Sequence, residues 1–359
     1  MFNSLNSTGM PLADADIISA QLYSKSDDKN SFTEQWKRIK GMADGLSQRN
    51  VVNIDSVLQQ FMYMERARTR AYKTGEVTVP GIRRYYTYDN PALLNEPKRL
   101  CDAYEKILLI WEKIADLPVV KLLLKFNENF KLFLLPYLFR YEPDAISEEK
   151  ITPVVECLLR LFAILEAGSV GFSSSRFKTF LFNENINVVN PEYDDMRIMA
   201  DFDSHIGSTW KYEDIIADLK EYDKNILVFL NEYIYAKSQG ISFDFSSSVN
   251  VEHVMPASGH NVDVIRTDAG IGTQEEFDSL VNLLGNKILL EEDINKSIGN
   301  DWFKTKKGST IRSRLGYRES AFGLASELTN YPKDKWGKDD IEEFTDRAAQ
   351  RIADFIFNR

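Results

Sequence analysis

The chain has 359 residues, of which 43% are hydrophobic and 27% charged, and its formal net charge is −10. That length allows about two domains, and the composition is globular rather than disordered. The acidic balance argues against a surface coated throughout by nucleic acid, but it leaves room for a local basic site.

Apolar windows near 122–139 and 154–165 are interrupted by Lys125, Glu128, Lys131, Glu156 and Arg160. A membrane span is therefore not expected. The first residues carry neither a basic nor an apolar leader pattern. The two cysteines, Cys101 and Cys157, lie in amphipathic segments and suit a reducing compartment, so a cytoplasmic location is expected.

In chain order, Phe2 to Leu12 reads as a short strand and turn, and Ala13 to Tyr23 carries Ile17, Ile18 and Leu22 at helical spacing. From about 28 to 240 the pattern is helical. Ile54, Val57, Leu58, Phe61 and Met62 form one apolar stripe, and Leu100, Tyr104, Leu108, Trp111 and Ile114 form another. Thr152 and Pro153 read as the start of a helix through Leu165 that Gly168 stops, and a further stripe runs from Ile215 to Tyr233 and ends at Gly240.

At 241 the pattern changes. Ile241 to Phe245 alternates like a strand, Ser246 to Asn250 is a polar turn, and Val251 to Met255 is a second extended run that Pro256 stops. Residues 257–272 read as loop, and Thr273 with Glu276 as a capping box. Asn286 to Leu290 is a short strand, Glu291 to Phe303 a helix, and 338–357 a closing amphipathic helix. The predicted domains are 1–25 as a terminal turn and helix, 26–240 as a helical domain and 241–359 as a small α+β domain.

Only three histidines are present: His205, His253 and His260. His253 follows Glu252 on a predicted strand, where neighbours point to opposite faces unless the chain bends. Asn286 opens the next strand, and Asn295 lies on the helix after it. A Glu-His strand, an asparagine at the return and an asparagine on the following helix is the layout of a ββα-metal (HNH, or His-Me finger) nuclease site. Such chemistry needs a neutral imidazole to take a proton from the attacking water. It also needs one divalent cation at the scissile phosphate, and oxygen donors such as Glu252 and Asn295 suit Mg²⁺ or Mn²⁺.

Lys304, Lys306, Lys307, Arg312 and Arg314, with Arg318, form a basic run beside this region that either neutralises DNA phosphates or is a solvated loop. Arg66, Arg70 and Lys73, with Arg83 to Tyr86, read as a packed helix end. Asp201 to His205 reads as a helix cap, and His260 as an exposed loop residue.

These residues resemble a known family. Val251-Glu252-His253-Val254-Met255-Pro256, Leu284-Gly285-Asn286-Lys287-Ile288-Leu289-Leu290, Asn295 with Ser297, Phe303 and Lys306, and a tail with Trp336, Phe344 and Arg347 are similar to the C-terminal HNH nuclease domain of GmrSD-type restriction proteins (domain of unknown function 1524). Phe2 to Gly9 and Asp16 to Ile18 resemble the end of the partner N-terminal domain (domain of unknown function 262). The resemblance implies His253 as general base and Asn286 as the residue fixing the His-bearing hairpin. It implies Glu252 and Asn295 as metal ligands, and restriction of foreign or modified DNA.

The family's N-terminal Asp-Gly-Gln-Gln-Arg nucleotide motif is absent, so a nucleotide-binding domain or subunit is an expected partner. An insertion separates His253 from Asn286, and the cysteine pairs of zinc-stapled HNH modules are lacking. The expected function is a metal-dependent DNA endonuclease with oligomerisation open. The rival is a catalytically inert DNA- or protein-binding module that keeps the nuclease fold.

Overall fold

A computed structural model describes residues 13–70, 81–168, 175–245, 248–308 and 314–359. Helix dominates, and the described residues contain one two-stranded sheet. They divide into two units, one from residues before 156 together with 174–199, the other from 156–173 and 200–359. The segment Phe2 to Leu12, Lys73, Ser246 and Arg312 lie outside the described residues.

The first unit is built from helices whose starts are written in the sequence. The Asp28 side chain accepts from the Asn30 and Ser31 amides and opens Lys29–Gln48. The Asn53 side chain accepts from the Ser56 amide and opens Ile54–Thr69. Phe61, Met62, Tyr104, Leu108 and Trp111 are buried, as the two stripes require. Trp111 donates its indole N–H to Gln60 at 2.9 Å, so a polar pair inside the core is satisfied. Arg66 is buried with its guanidinium over the Phe182 ring, and Tyr85 and Tyr86 are buried too. This is a packed helix end. Cys101 is free and buried, and burial pushes its thiol up to about 12, which makes it unreactive.

The second unit carries the sheet. Strand β1 (Val249–His253) pairs antiparallel with β2 (Lys287–Glu291), with Glu252 opposite Ile288 and His253 opposite Lys287. A helix, Glu292–Ile298, follows β2 directly and packs on both strands. The closing helix, Lys338–Phe357, lies against the turn that precedes β2.

Several predicted elements differ, each for a local reason. Ile241 to Phe245 is not a strand: Phe243 and Phe245 are buried against Tyr233 and Phe229, so the alternation records burial on one side rather than pairing. The helix expected over Glu291 to Phe303 breaks at Gly299, whose φ is 54°, and a short helix resumes at Phe303–Lys307. Residues 257–272 are not all loop, since Val262–Asp268 is helical. Pro153 stands inside Glu148–Ala167 rather than at its start. Asp201 to His205 is within Asp195–Thr209 rather than at its start, where Asp194 accepts from the Arg197 amide.

Glu232, buried on the helix Ile226–Gln239, accepts from the Gly323 and Leu324 amides at 2.6 and 3.2 Å. Burial lifts its carboxyl to about 7, against the pull of those two amides and of Arg351. Its folded value lies above its ordinary 4.5. The folded state therefore binds the extra proton, and the associated stability, full below pH 4.5, is lost as pH rises towards 7. Glu232→Gln is expected to flatten this part of the curve. The thermal midpoint should change less between about pH 5 and pH 8 than it does in the parent chain.

Candidate active site

The alternation of β1 sends its last two side chains to opposite faces. Glu252 turns inward. Its Oε1 accepts from Lys306 Nζ at 2.5 Å and from the Tyr317 hydroxyl at 3.3 Å. Burial raises the Glu252 carboxyl and lowers the Lys306 ammonium, and the attraction between them opposes both shifts. Lys306 is 0% exposed and also donates to the main-chain carbonyls of His253 and Val254, at 2.7 and 3.3 Å.

His253, on the other face, is half-buried, and its Nε2 lies 3.3 Å from Asn282 Oδ1. With that amide oxygen facing the ring, Nε2 carries the proton and Nδ1 keeps its lone pair. Burial holds the imidazole below its usual range of about 6.5; the Asn282 bond opposes this, and Lys287 and Lys306 add to it. Lys287, its cross-strand neighbour, is buried, bonds to the carbonyls of Asp223 and Lys224, and is pushed down to about 8 by burial.

Asn286 is fully buried and clamps the turn after His253. Its Oδ1 accepts from the Met255 amide at 2.7 Å, and its Nδ2 donates to the carbonyls of Met255 and Val281 at 3.0 and 2.8 Å. Its own carbonyl accepts from the Val254 amide at 2.9 Å. Asn295 is half-buried on Glu292–Ile298, and no hydrogen bond joins it to Glu252, His253 or Asn286 among the described residues.

The end of β1 thus gathers Glu252, His253 and Asn286, with Glu252 on the far side from the imidazole. Asn282 was not found from the sequence. It stands in a plain helix end, Val281-Asn282-Leu283, and only the pairing of β1 with β2 brings it to His253.

The basic run is mostly neutralised from within. Lys304 is exposed and reaches Asp334 at 2.7 Å. Lys307 donates to the carbonyls of Tyr331 and Lys333, and Arg314 to those of Ser297 and Ile298 and to Asp301. Lys306 faces the interior and is no exposed cation, because Glu252 and two carbonyls draw it in. Arg318 is exposed. His260 is exposed in its loop, His205 packs its ring on Trp210, and nearby Asp203 is ion-paired to Arg160.

Glu252 does not fit as a ligand of a divalent ion as it stands. Glu252 already holds an ammonium in a closed pocket, and the described residues contain no group of three or more His, Cys, Asp or Glu able to hold a metal.

Residues 204–350 match the family model described as GmrSD restriction endonucleases, C-terminal domain. The class this stretch is similar to is thus that of a restriction-endonuclease domain, and the role that similarity points to is that of a nuclease. The similarity is to GmrSD-type C-terminal domains and covers this stretch of the chain. It includes β1, β2 and the helix after them, and also the helices Tyr212–Lys220 and Ile226–Gln239 that precede the sheet. A comparison with curated proteins found no match. No described helix is long and apolar enough to cross a membrane.

Proposed function

We propose that this chain hydrolyses phosphodiester bonds of DNA, modified or unmodified, within a cytoplasmic GmrSD-like restriction system, with His253 as the general base on an HNH-type unit. The observation that carries this reading is the setting of His253: half-buried, its pKa held below the usual range by burial, oriented through Nε2 by Asn282, and set on main chain clamped by Asn286. Nδ1 is then the nitrogen that takes the proton of an attacking water. The expected products are a 5′-phosphate and a 3′-hydroxyl. A divalent cation, Mg²⁺ or Mn²⁺, is the expected cofactor, and a nucleotide-binding domain or subunit the expected partner. Plasmid nicking by the purified chain with Mg²⁺ or Mn²⁺, against the same reaction in a chelator, tests the reading.

The closed Glu252–Lys306 pair favours a second reading, a non-catalytic DNA-binding module. That module would bind the plasmid and leave it intact under every metal condition.

Two further results are expected. The base must be neutral to act, and burial lowers its pKa. The acid limb of the activity profile should therefore have its midpoint below pH 6.5, the ordinary value for histidine. A midpoint above that value would remove His253 from the role. For DNA affinity, the exposed Lys304 and Arg318 should carry the phosphate contacts. Each alanine substitution there should lower the slope of log affinity against log salt by about one unit. Affinity and slope unchanged in Lys304→Ala/Arg318→Ala would place the DNA elsewhere.

A further inference from the structure

We infer that Lys306 is a positioning residue for His253: its buried ammonium ties the Glu252 carboxylate to the carbonyls of His253 and Val254 and so fixes the main chain that bears the imidazole. The inference rests on the nuclease reading and deepens it. An ammonium has three N–H donors. Those of Lys306 meet three acceptors: Glu252 Oε1 at 2.5 Å, the His253 carbonyl at 2.7 Å and the Val254 carbonyl at 3.3 Å. No donor is left for a phosphate, and with no exposed surface Lys306 does not meet DNA.

The other half of the clamp is Asn286. It takes the Val254 amide on its carbonyl and the Met255 amide and carbonyl on its side chain. Residues 253–255 are therefore held from two sides, their first two carbonyls by Lys306 and the next polar groups by Asn286. A base whose backbone cannot tilt presents Nδ1 in one direction, which is what an attacking water requires.

The same geometry gives Glu252 a role different from metal ligation. Its charge is balanced by Lys306, and Tyr317 donates to the same oxygen. Glu252 is the counter-ion of the lysine in a closed site, and its attraction opposes the loss of the lysine's charge on burial. Removing one partner alone would leave the other charge buried and unpaired, whereas removing both is milder. The informative variant is therefore Glu252→Gln/Lys306→Met, with Lys306→Arg as a second that keeps both charges but cannot reproduce the three bonds of an ammonium.

In the folded double variant, the kcat of nicking should fall about 10- to 100-fold, with the KM for plasmid and the salt slope unchanged. Amide hydrogen exchange at Val254 and Met255 should quicken, and Mn²⁺ affinity, measured by electron paramagnetic resonance, should stay at the parent value. Lys306→Arg should show the same kcat loss in smaller measure, and it decides the matter if the double variant does not fold. Parent kcat together with parent exchange rates would overturn the inference, as would loss of Mn²⁺ binding, which would make Glu252 a ligand. If the parent chain itself does not nick DNA, the nuclease reading fails. Exchange at Val254 and Met255 then still decides whether Lys306 holds this segment.

Discussion

His253→Ala is expected to slow nicking by about 10²–10⁴-fold, the usual loss on removing a positioned general base, with fold and DNA affinity kept. The imidazole is half-buried and makes one long bond, to Asn282 at 3.3 Å. Its truncation should therefore cost about 1 kcal/mol or less of stability. Asn282→Ala tests the same step from the other end. The ring keeps its basic nitrogen but loses the acceptor that selects the tautomer, so a smaller loss, about 10-fold, is expected. Nicking rates and thermal midpoints of both variants form the decisive comparison. A His253→Ala chain that cuts at the parent rate removes the general base from the mechanism. One that loses activity only with its fold turns the histidine into a structural residue, and the binding-module reading gains.

The site was legible in the sequence wherever one residue announces its own backbone state. Gly285-Asn286 ahead of an apolar run marked the start of β2, whereas β1 runs two residues back into the expected polar turn, from Val249, and ends at His253, before the expected stop at Pro256. Asn282 was another matter. Asn282 contacts His253 only because the strands pair in register across an insertion, and nothing local to Asn282 signals that.

Lys306 misled for a related reason. In sequence it sits among Lys304, Lys307 and Arg314 and reads as one more surface cation. On Phe303–Lys307 it points inward to Glu252, a residue far away along the chain. Charge runs tell the sign of a segment and not which members face water. The Ile241 to Phe245 alternation failed differently. Period-two burial is shared by paired strands and by extended segments that merely lie on a core, and Phe243 and Phe245 are of the second kind. The long helices were the easiest to read, since stripes such as Leu100 to Ile114 are repeated over several turns.

Gly285→Ala is expected to cause the largest loss of stability in the second unit. A Cβ on Gly285 would sit 2.2 Å from the Ile341 carbonyl oxygen and 2.3 Å from the Thr345 amide nitrogen. Both are backbone atoms of the closing helix, so no rotamer change can relieve the clash. The glycine amide also donates to Thr345 Oγ1 at 3.0 Å, a bond that is lost if the turn moves away. A core collision of this kind belongs with the rare substitutions costing more than about 4 kcal/mol, which at this size lowers the thermal midpoint by roughly 10 °C or more.

Asn286→Ala should follow closely by a different route. It opens no clash, but it strands the Met255 amide and the carbonyls of Met255 and Val281 inside the protein. Each stranded group costs about 1–3 kcal/mol. The two variants separate on the main chain near His253. Asn286→Ala frees residues 254 and 255 directly, so their amide exchange should quicken beyond what the drop in global stability accounts for. Gly285→Ala should speed exchange throughout the β1–β2 pair and the closing helix together. If Gly285→Ala melts within a few degrees of the parent, the turn and the closing helix are not in the close contact described above.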